Sequence, residues 1–266
     1  MKRLFVLLAV AALATAAAAS ARQAAPPTKQ PGQLTIGLNP PAVGFQVGTL
    51  RGSNVINPVG FEIDLSKQIA NRLGINKIRW INVPFSGLFA PGNKPFDFAF
   101  EEATITAQRA KSVDFSVPYF DANQGVLLSK GTPVPKSLAD LRKLQTCAQT
   151  VTTGLDYIQK RLHPVKQPLI LQTTAAAFTA VQFGRCQALV LDVPIIASQK
   201  KTSPKSYGPI AGQIVTNEKY GAVFPKGSAL RPDVNKAITY LTKNGTIAAL
   251  QKKWFNINTA ALPVLR

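Results

Sequence analysis

The chain is short of acid, sulfur and histidine. Across 266 residues, 12 Asp and Glu stand against 31 Lys and Arg, with two Cys, one Met and one His. The single histidine, His163, sits just before a Pro at an expected helix end, and no Ser–His–Asp set or zinc spacing appears. No phosphate-binding glycine loop and no metal cluster is visible, and nothing in the sequence calls for a cofactor. Beyond the N-terminus no apolar run is long enough to span a bilayer. The net charge of +19 invites a nucleic-acid reading, but its Lys and Arg are scattered, as in "SQKK" and "LQKKW". With no Arg-rich arm or aromatic-basic motif, the composition excludes specific nucleic-acid binding and points to a solvated basic surface, open to anionic envelope surfaces.

The length suits one large domain or two small lobes, and 46% hydrophobic content is ordinary for a globular protein. "MKR", the apolar "LFVLLAVAALATAAA" and the small-residue "ASA" read as a signal peptide over 1–21, cleaved after Ala21. A membrane anchor is the alternative, but the stretch is short and Ala-rich, and the flexible leader of 22–32 follows it. Cleavage takes away Lys2 and Arg3 and no acid, leaving +17. No Cys near the cleavage region could carry a lipid, so the expected location is periplasmic or secreted. Export is compatible with a Cys147–Cys186 disulfide, two buried free thiols being the alternative.

Along the chain, strands and helices alternate. "QLTIGL" (33–38), "KIRWINV" (77–83) and "FDFAF" (96–100) read as strands. Between the first two, "GFEIDLSKQIANRLG" (60–74) is a helix: Leu65, Ile69 and Leu73 recur every fourth residue and Gly74 stops it. A second run follows. It comprises strands at 124–130, 144–150, 168–172 and 187–192, helices at 137–141, 152–162 and 173–184, and a strand and turn at 218–227. Two helices, 230–245 and 246–255, close the chain. This is an α/β pattern of two strand–helix runs, each predicting a mainly parallel sheet flanked by helices.

Open parallel sheets bind ligands at the carboxyl ends of their strands. Those ends deliver Glu101, Glu102, Thr104 and Arg109, then Thr152 and Thr153 at a helix start, Asp192, and Phe85 on a turn. The set suits a zwitterion. Arg109 can grip a carboxylate with its planar fork, and Asp192 can accept from an ammonium. Backbone N–H groups at Thr152 and Thr153 can add anion contacts, and Phe85 can close over an apolar stem. Each residue also has a plainer role open to it: Arg109 on the surface, Asp192, Thr152 and Thr153 as helix caps, Phe85 in the core. Asn39, after the first strand, completes the ligand-binding candidates.

The motifs "GFEIDLSKQIANRLG", "TITAQRAKSVDFSVPYF", "SLADL", "GRCQALVLD", "YGAVFPKGS" and "NGTIAALQKKWF", in this order, resemble the periplasmic solute-binding proteins of polar amino-acid ABC transporters. The resemblance covers about residues 33–256. It implies a two-lobed, type II periplasmic-binding-protein fold joined by two hinge strands. Lobe 1 falls at 33–122 plus 221–258, lobe 2 at 123–220 and a C-terminal tail at 259–266. It implies a monomer that captures a polar or cationic amino acid in the interlobe cleft and delivers it to a membrane permease. It places the carboxylate on Arg109, with Thr104 and the Thr152–Thr153 backbone, and the ammonium on Asp192. It sets Cys147 and Cys186 near the starts of neighbouring strands, where a disulfide would staple lobe 2. The sequence departs from the family at Glu101 and Glu102, where small residues are usual, at Val151, where Gly is usual, and in the missing aromatic after the first strand. Because strand residues alternate faces, Glu102 is expected in the cleft, selecting a cationic or donor side chain, and Glu101 beside a Lys or Arg. A cyclohexadienyl-dehydratase-like enzyme and an envelope sensor or surface binder are the competing readings.

Overall fold

The computed structural model describes residues 25–255 and 261–266; the expected signal peptide lies outside them. Two mixed sheets are flanked by helices. The first contains β1 (Gln33–Leu38), β2 (Val47–Arg51), β3 (Asn54–Val59), β4 (Lys77–Asn82), β5 (Phe98–Ala99), β6 (Asp114–Phe115) and β12 (Val223–Phe224). Its order is β2-β3-β4-β1-β5-β12-β6. The central β4-β1-β5 ladder is parallel, and the pairs on either side are antiparallel. The second contains β7 (Phe120–Leu128), β8 (Thr146–Gln149), β9 (Leu169–Leu171), β10 (Ala188–Asp192) and β11 (Ile210–Tyr220), in the order β11-β7-β10-β8-β9. There β10, β8 and β9 are parallel, and β7 runs antiparallel to both its neighbours.

The helices are α1 (Phe61–Arg72), α2 (Phe85–Leu88), α3 (Leu138–Leu141), α4 (Thr153–Tyr157), α5 (Thr174–Gln182), α6 (Val193–Thr202), α7 (Arg231–Lys243) and α8 (Thr246–Trp254). α1 buries Leu65 and Ile69 on the expected stripe. It begins on Gly60, at φ 141°, where a Cβ would lie 2.1 Å from the Phe45 carbonyl oxygen, so only glycine fits. Ser137 caps α3 as the capping-box spacing predicts, accepting from the Asp140 N–H at 3.1 Å. The helix expected over 152–162 is α4 followed by a wider π turn, Ile158–Leu162, ending on His163 at φ 49°.

Strand "FDFAF" contributes only Phe98 and Ala99 to the ladder. Phe96, Phe98, Ala99 and Phe100 are all fully buried, so this strand has no solvent face. The β2–β3 hairpin is not apparent in the sequence. Its residues are glycine-rich and half-exposed, and it closes over the tight Gly52–Ser53 turn, pairing Leu50 with Val55 and Arg51 with Asn54. β11 is also longer than the sequence suggests, because two register shifts interrupt its pattern.

The chain passes between the sheets from β6 to β7 and from β11 to β12. The two passages run side by side, since Phe120 pairs with Tyr220. Phe45, Phe61, Phe120, Tyr220 and Phe255 pack around this crossing with ring centroids 4.5–6.1 Å apart. Cys147 of β8 and Cys186, just before β10, form a disulfide between neighbouring strands. The last residues do not trail away. The Leu265 N–H donates to the Gln213 carbonyl at 2.9 Å, the Gln213 N–H to Pro263 at 2.7 Å, and the Leu138 N–H to Arg266 at 2.9 Å. Leu265 is buried in the core of the second sheet. The expected leader is likewise held at Lys29, whose N–H donates to Asp97 at 2.6 Å.

Candidate functional site

The ends of β5, β8 and β10 converge on a cavity of about 30 Å³ between the sheets. Arg109, Asp192, Thr104, Thr152, Thr153, Phe85 and Glu102 all line it, so the strand-end residues singled out in the sequence come together. Asn39 is not among the lining residues. Its Nδ2 donates to the Val83 carbonyl at 2.8 Å and its N–H to Gln46 Oε1 at 2.9 Å, which ties down the end of β1. Glu101, Gln149, Thr174, Leu191 and Ile195 complete the wall.

Arg109 is the first residue of a single 3-10 turn, Arg109–Lys111, and is buried. Its Nη1 donates to the Thr104 carbonyl at 2.7 Å. Its Nη2 reaches across the cleft to the Val151 carbonyl at 3.0 Å. The guanidinium lies 4.3 Å from the Phe89 ring centroid and 5.3 Å from that of Phe85, within cation–π range of both rings. Burial lowers its pKa, against the pull of Asp192 and Glu218.

Asp192 ends β10 at the N-cap position of α6, yet its side chain makes no capping bond. It faces the cavity instead. Oδ2 accepts from the Tyr220 hydroxyl at 2.6 Å and Oδ1 from Gln124 Nε2. Burial pushes the carboxyl up to about 7, with Glu218 adding to the rise and the two hydrogen bonds and Arg109 opposing it. The two Thr of α4 divide their work. Thr152 caps the helix, accepting from the Leu155 N–H at 3.2 Å. Thr153 is left to donate to Glu218 Oε2 at 2.6 Å. Gly154 lets α4 sit this close to β10, since a Cβ there would lie 2.9 Å from the Val190 carbonyl oxygen.

Glu218, on β11, was not apparent as a site residue, because a single acid beside a single Lys, Lys219, carries no pattern. Its Oε2 also accepts from Thr104 at 2.8 Å and its Oε1 from Gln124 Nε2 at 3.1 Å. One carboxylate thus joins a residue that follows β5 in the first sheet to one beyond β8 in the second.

The acids after β5 differ from expectation. Alternation fails there because Glu102 takes φ 49°, outside the strand region, so both side chains reach the cavity. Glu101 does not sit beside a Lys or Arg. It is 2% exposed, and neither carboxyl oxygen has a hydrogen-bond partner among the described residues. Glu102 accepts from Gln46 Nε2 at 3.0 Å, and its N–H donates to Glu62 Oε1 at 3.0 Å. Glu62, in the first turn of α1, is fully buried, and the Tyr119 hydroxyl donates to it. It could have been found: it lies three residues before Leu65 on the buried stripe, an acid where the period demands an apolar residue. Among the described residues no group of His, Cys, Asp and Glu could hold a metal ion, and no helix is long and apolar enough to cross a membrane.

This two-sheet, cleft-centred arrangement recurs in known proteins. Residues 34–257 match the model for bacterial extracellular solute-binding proteins, family 3. The ABC transporter glutamine-binding protein GlnH of Bacillus subtilis (strain 168) is 33% identical over 206 residues, 76% of this chain and 74% of that protein. A solved ancestral arginine-binding protein bound to glutamine superposes with a TM-score of 0.75 at 32% identity, covering 86% of this chain and all of that one. The ancestral amino acid-binding protein AncCDT-1, a precursor of cyclohexadienyl dehydratase, superposes with a TM-score of 0.72 at 29% identity, over 84% of this chain and 95% of its own. The chain belongs to family 3 of the bacterial extracellular solute-binding proteins.

Proposed function

We propose that the protein captures an amino acid between its lobes and delivers it to an ABC-type permease outside the cytoplasm. The observation that carries this reading is the pair Arg109 and Asp192 facing one cavity, with Asp192 turned away from the capping role its position offers. Arg109 holds the α-carboxylate, trading its bond to the Val151 carbonyl for a bidentate pair. Asp192 holds the α-ammonium, with Tyr220 and Gln124 fixing its orientation. Thr104 and the Thr152–Thr153 segment supply further contacts, and Phe85 walls the stem. The first lobe comprises 33–122 and 221–258, and the second 123–220. Contacts from both lobes to one ligand favour the closed state, which is the form a permease can distinguish. The protein acts as a monomer and needs no cofactor. Binding is favoured over dehydratase chemistry because the family and GlnH are named for binding, and AncCDT-1 is itself an amino acid-binding protein.

A thermal-shift screen of ligand-free protein against the common amino acids, at two salt concentrations, tests this. A ligand that binds only the folded chain raises Tm. The expected result is a salt-tolerant rise with one or a few amino acids that Arg109→Ala abolishes. A folded sample that responds to none overturns the reading.

A further inference from the structure

The two clamp residues account for the ends of a zwitterion and leave the acids beside α1 unassigned. Three carboxyl groups meet there: Glu62, Glu101 and Glu102. Two of them are held. Gln46 Nε2 donates to Glu62 Oε2 at 2.9 Å as well as to Glu102, and the Tyr119 hydroxyl and the Glu102 N–H both donate to Glu62. Glu101 is the exception, buried and lining the cavity with both oxygens unmet among the described residues. A buried carboxyl in that condition burdens the folded chain, and native structures rarely retain one without use. Two free oxygens on one carboxyl call for a donor with several N–H groups. No ion pair to any of the three acids exists among the described residues, so if Glu101 ionises, its counter-charge comes from the ligand.

We infer that Glu101 selects the ligand's side chain, and that the class it selects carries a fixed cation, a guanidinium or an ammonium. This rests on the amino-acid reading above and names the substrate class within it. Binding is then an exchange. Burial first, and Glu62 second, hold the Glu101 carboxyl well above the usual range, so it keeps a proton until a cation faces it. The arriving cation displaces that proton to solvent and pairs with the carboxylate. Glu62 from α1, Glu102 beside it and Tyr119 ahead of β7 act on it directly, and Arg109 and Asp192 line the same cavity without pairing with it. Asp192 also sheds a proton to any α-ammonium, so only the difference between a cationic ligand and its neutral isostere reports on Glu101.

The experiment is calorimetry on the full chain, freed of bound ligand by unfolding and refolding. L-arginine is compared with L-citrulline, and L-lysine with L-glutamine, in buffers of differing ionisation enthalpy from pH 5 to 8. The expected result is arginine or lysine binding roughly 10- to 100-fold more tightly than its neutral counterpart at pH 8. The margin shrinks as pH falls, and extra protons are released only with the cation. Glu101→Gln brings the two members of a pair within about threefold, while Glu102→Gln keeps a margin above roughly tenfold. If neutral amino acids bind as tightly as cationic ones to the wild-type chain, the inference fails and the amino-acid reading survives. If Glu102→Gln rather than Glu101→Gln removes the margin, the assignment to Glu101 fails. If no α-amino acid binds the folded protein, both readings fall together.

Discussion

Replacing Asp192 with asparagine tests whether the clamp acid is held neutral by its surroundings. The native carboxyl is raised from 3.8 to about 7, and burial is the main cause. A raised acid binds its proton more tightly in the folded chain than in the unfolded one. Its contribution to stability is therefore complete below about pH 4 and is lost as pH climbs through 7. A rise of about three pH units corresponds to about 4 kcal/mol in all, of which about 2.6 kcal/mol disappears between pH 5 and 8. The substituted amide is close in shape to the carboxyl and does not titrate, and the Tyr220 hydroxyl can turn to accept from it. Urea unfolding of ligand-free wild-type and Asp192→Asn proteins at pH 5, 6, 7 and 8 isolates the effect. The stability difference between them should shift by about 2–3 kcal/mol in favour of the variant as pH rises. Parallel pH curves for the two proteins would refute a neutral, buried Asp192.

Three further outcomes follow from the geometry. Val151→Gly should stabilise the chain by about 1 kcal/mol, because a β-branched residue at φ 63° carries strain that glycine lacks, less glycine's own entropic cost. A rise in Tm of about 2–4 °C is the expected reading, with the Arg109 bond intact because it uses the Val151 backbone. Replacing Cys147 and Cys186 together by Ser opens a cross-link of sequence separation 39, and should lower stability by about 4 kcal/mol in denaturant titrations. Arg109→Lys keeps the charge but loses the fork, and should weaken the best ligand of the thermal screen by roughly 10- to 100-fold in calorimetry.

Much of the molecule was legible where one element carries its own period. The stripe of α1, the buried run of β10 and the capping box before α3 each announce themselves in a few residues. The β2–β3 hairpin and the full length of β11 did not, because both depend on a partner strand and on turns or bulges that break alternation. The site divides in the same way. Asp192 ends a strand and Arg109 and Thr153 lie in the segments that follow strands, where chain order alone points to a cleft. Glu62 and Glu218 act from a helix start and a crossing strand, and their meaning arises only when distant segments meet. Of the two acids after β5, Glu102 lines the cavity as expected, but Glu101 was expected away from it, because the turn at Glu102 cancels the alternation that assigned them to opposite faces.

The C-terminal strand has a mechanical consequence. α8 packs against α1 and α7, yet Val264 and Leu265 lie along Gln213 of the second sheet, seven residues and about 20 Å of strand from the crossing at Tyr220. Residues 263–266 are clamped at two places, to β11 through Gln213 and to the start of α3 through Leu138. The far end of the chain is thereby a fixed part of the second sheet's edge, and a label or fusion attached at Arg266 reports on that sheet.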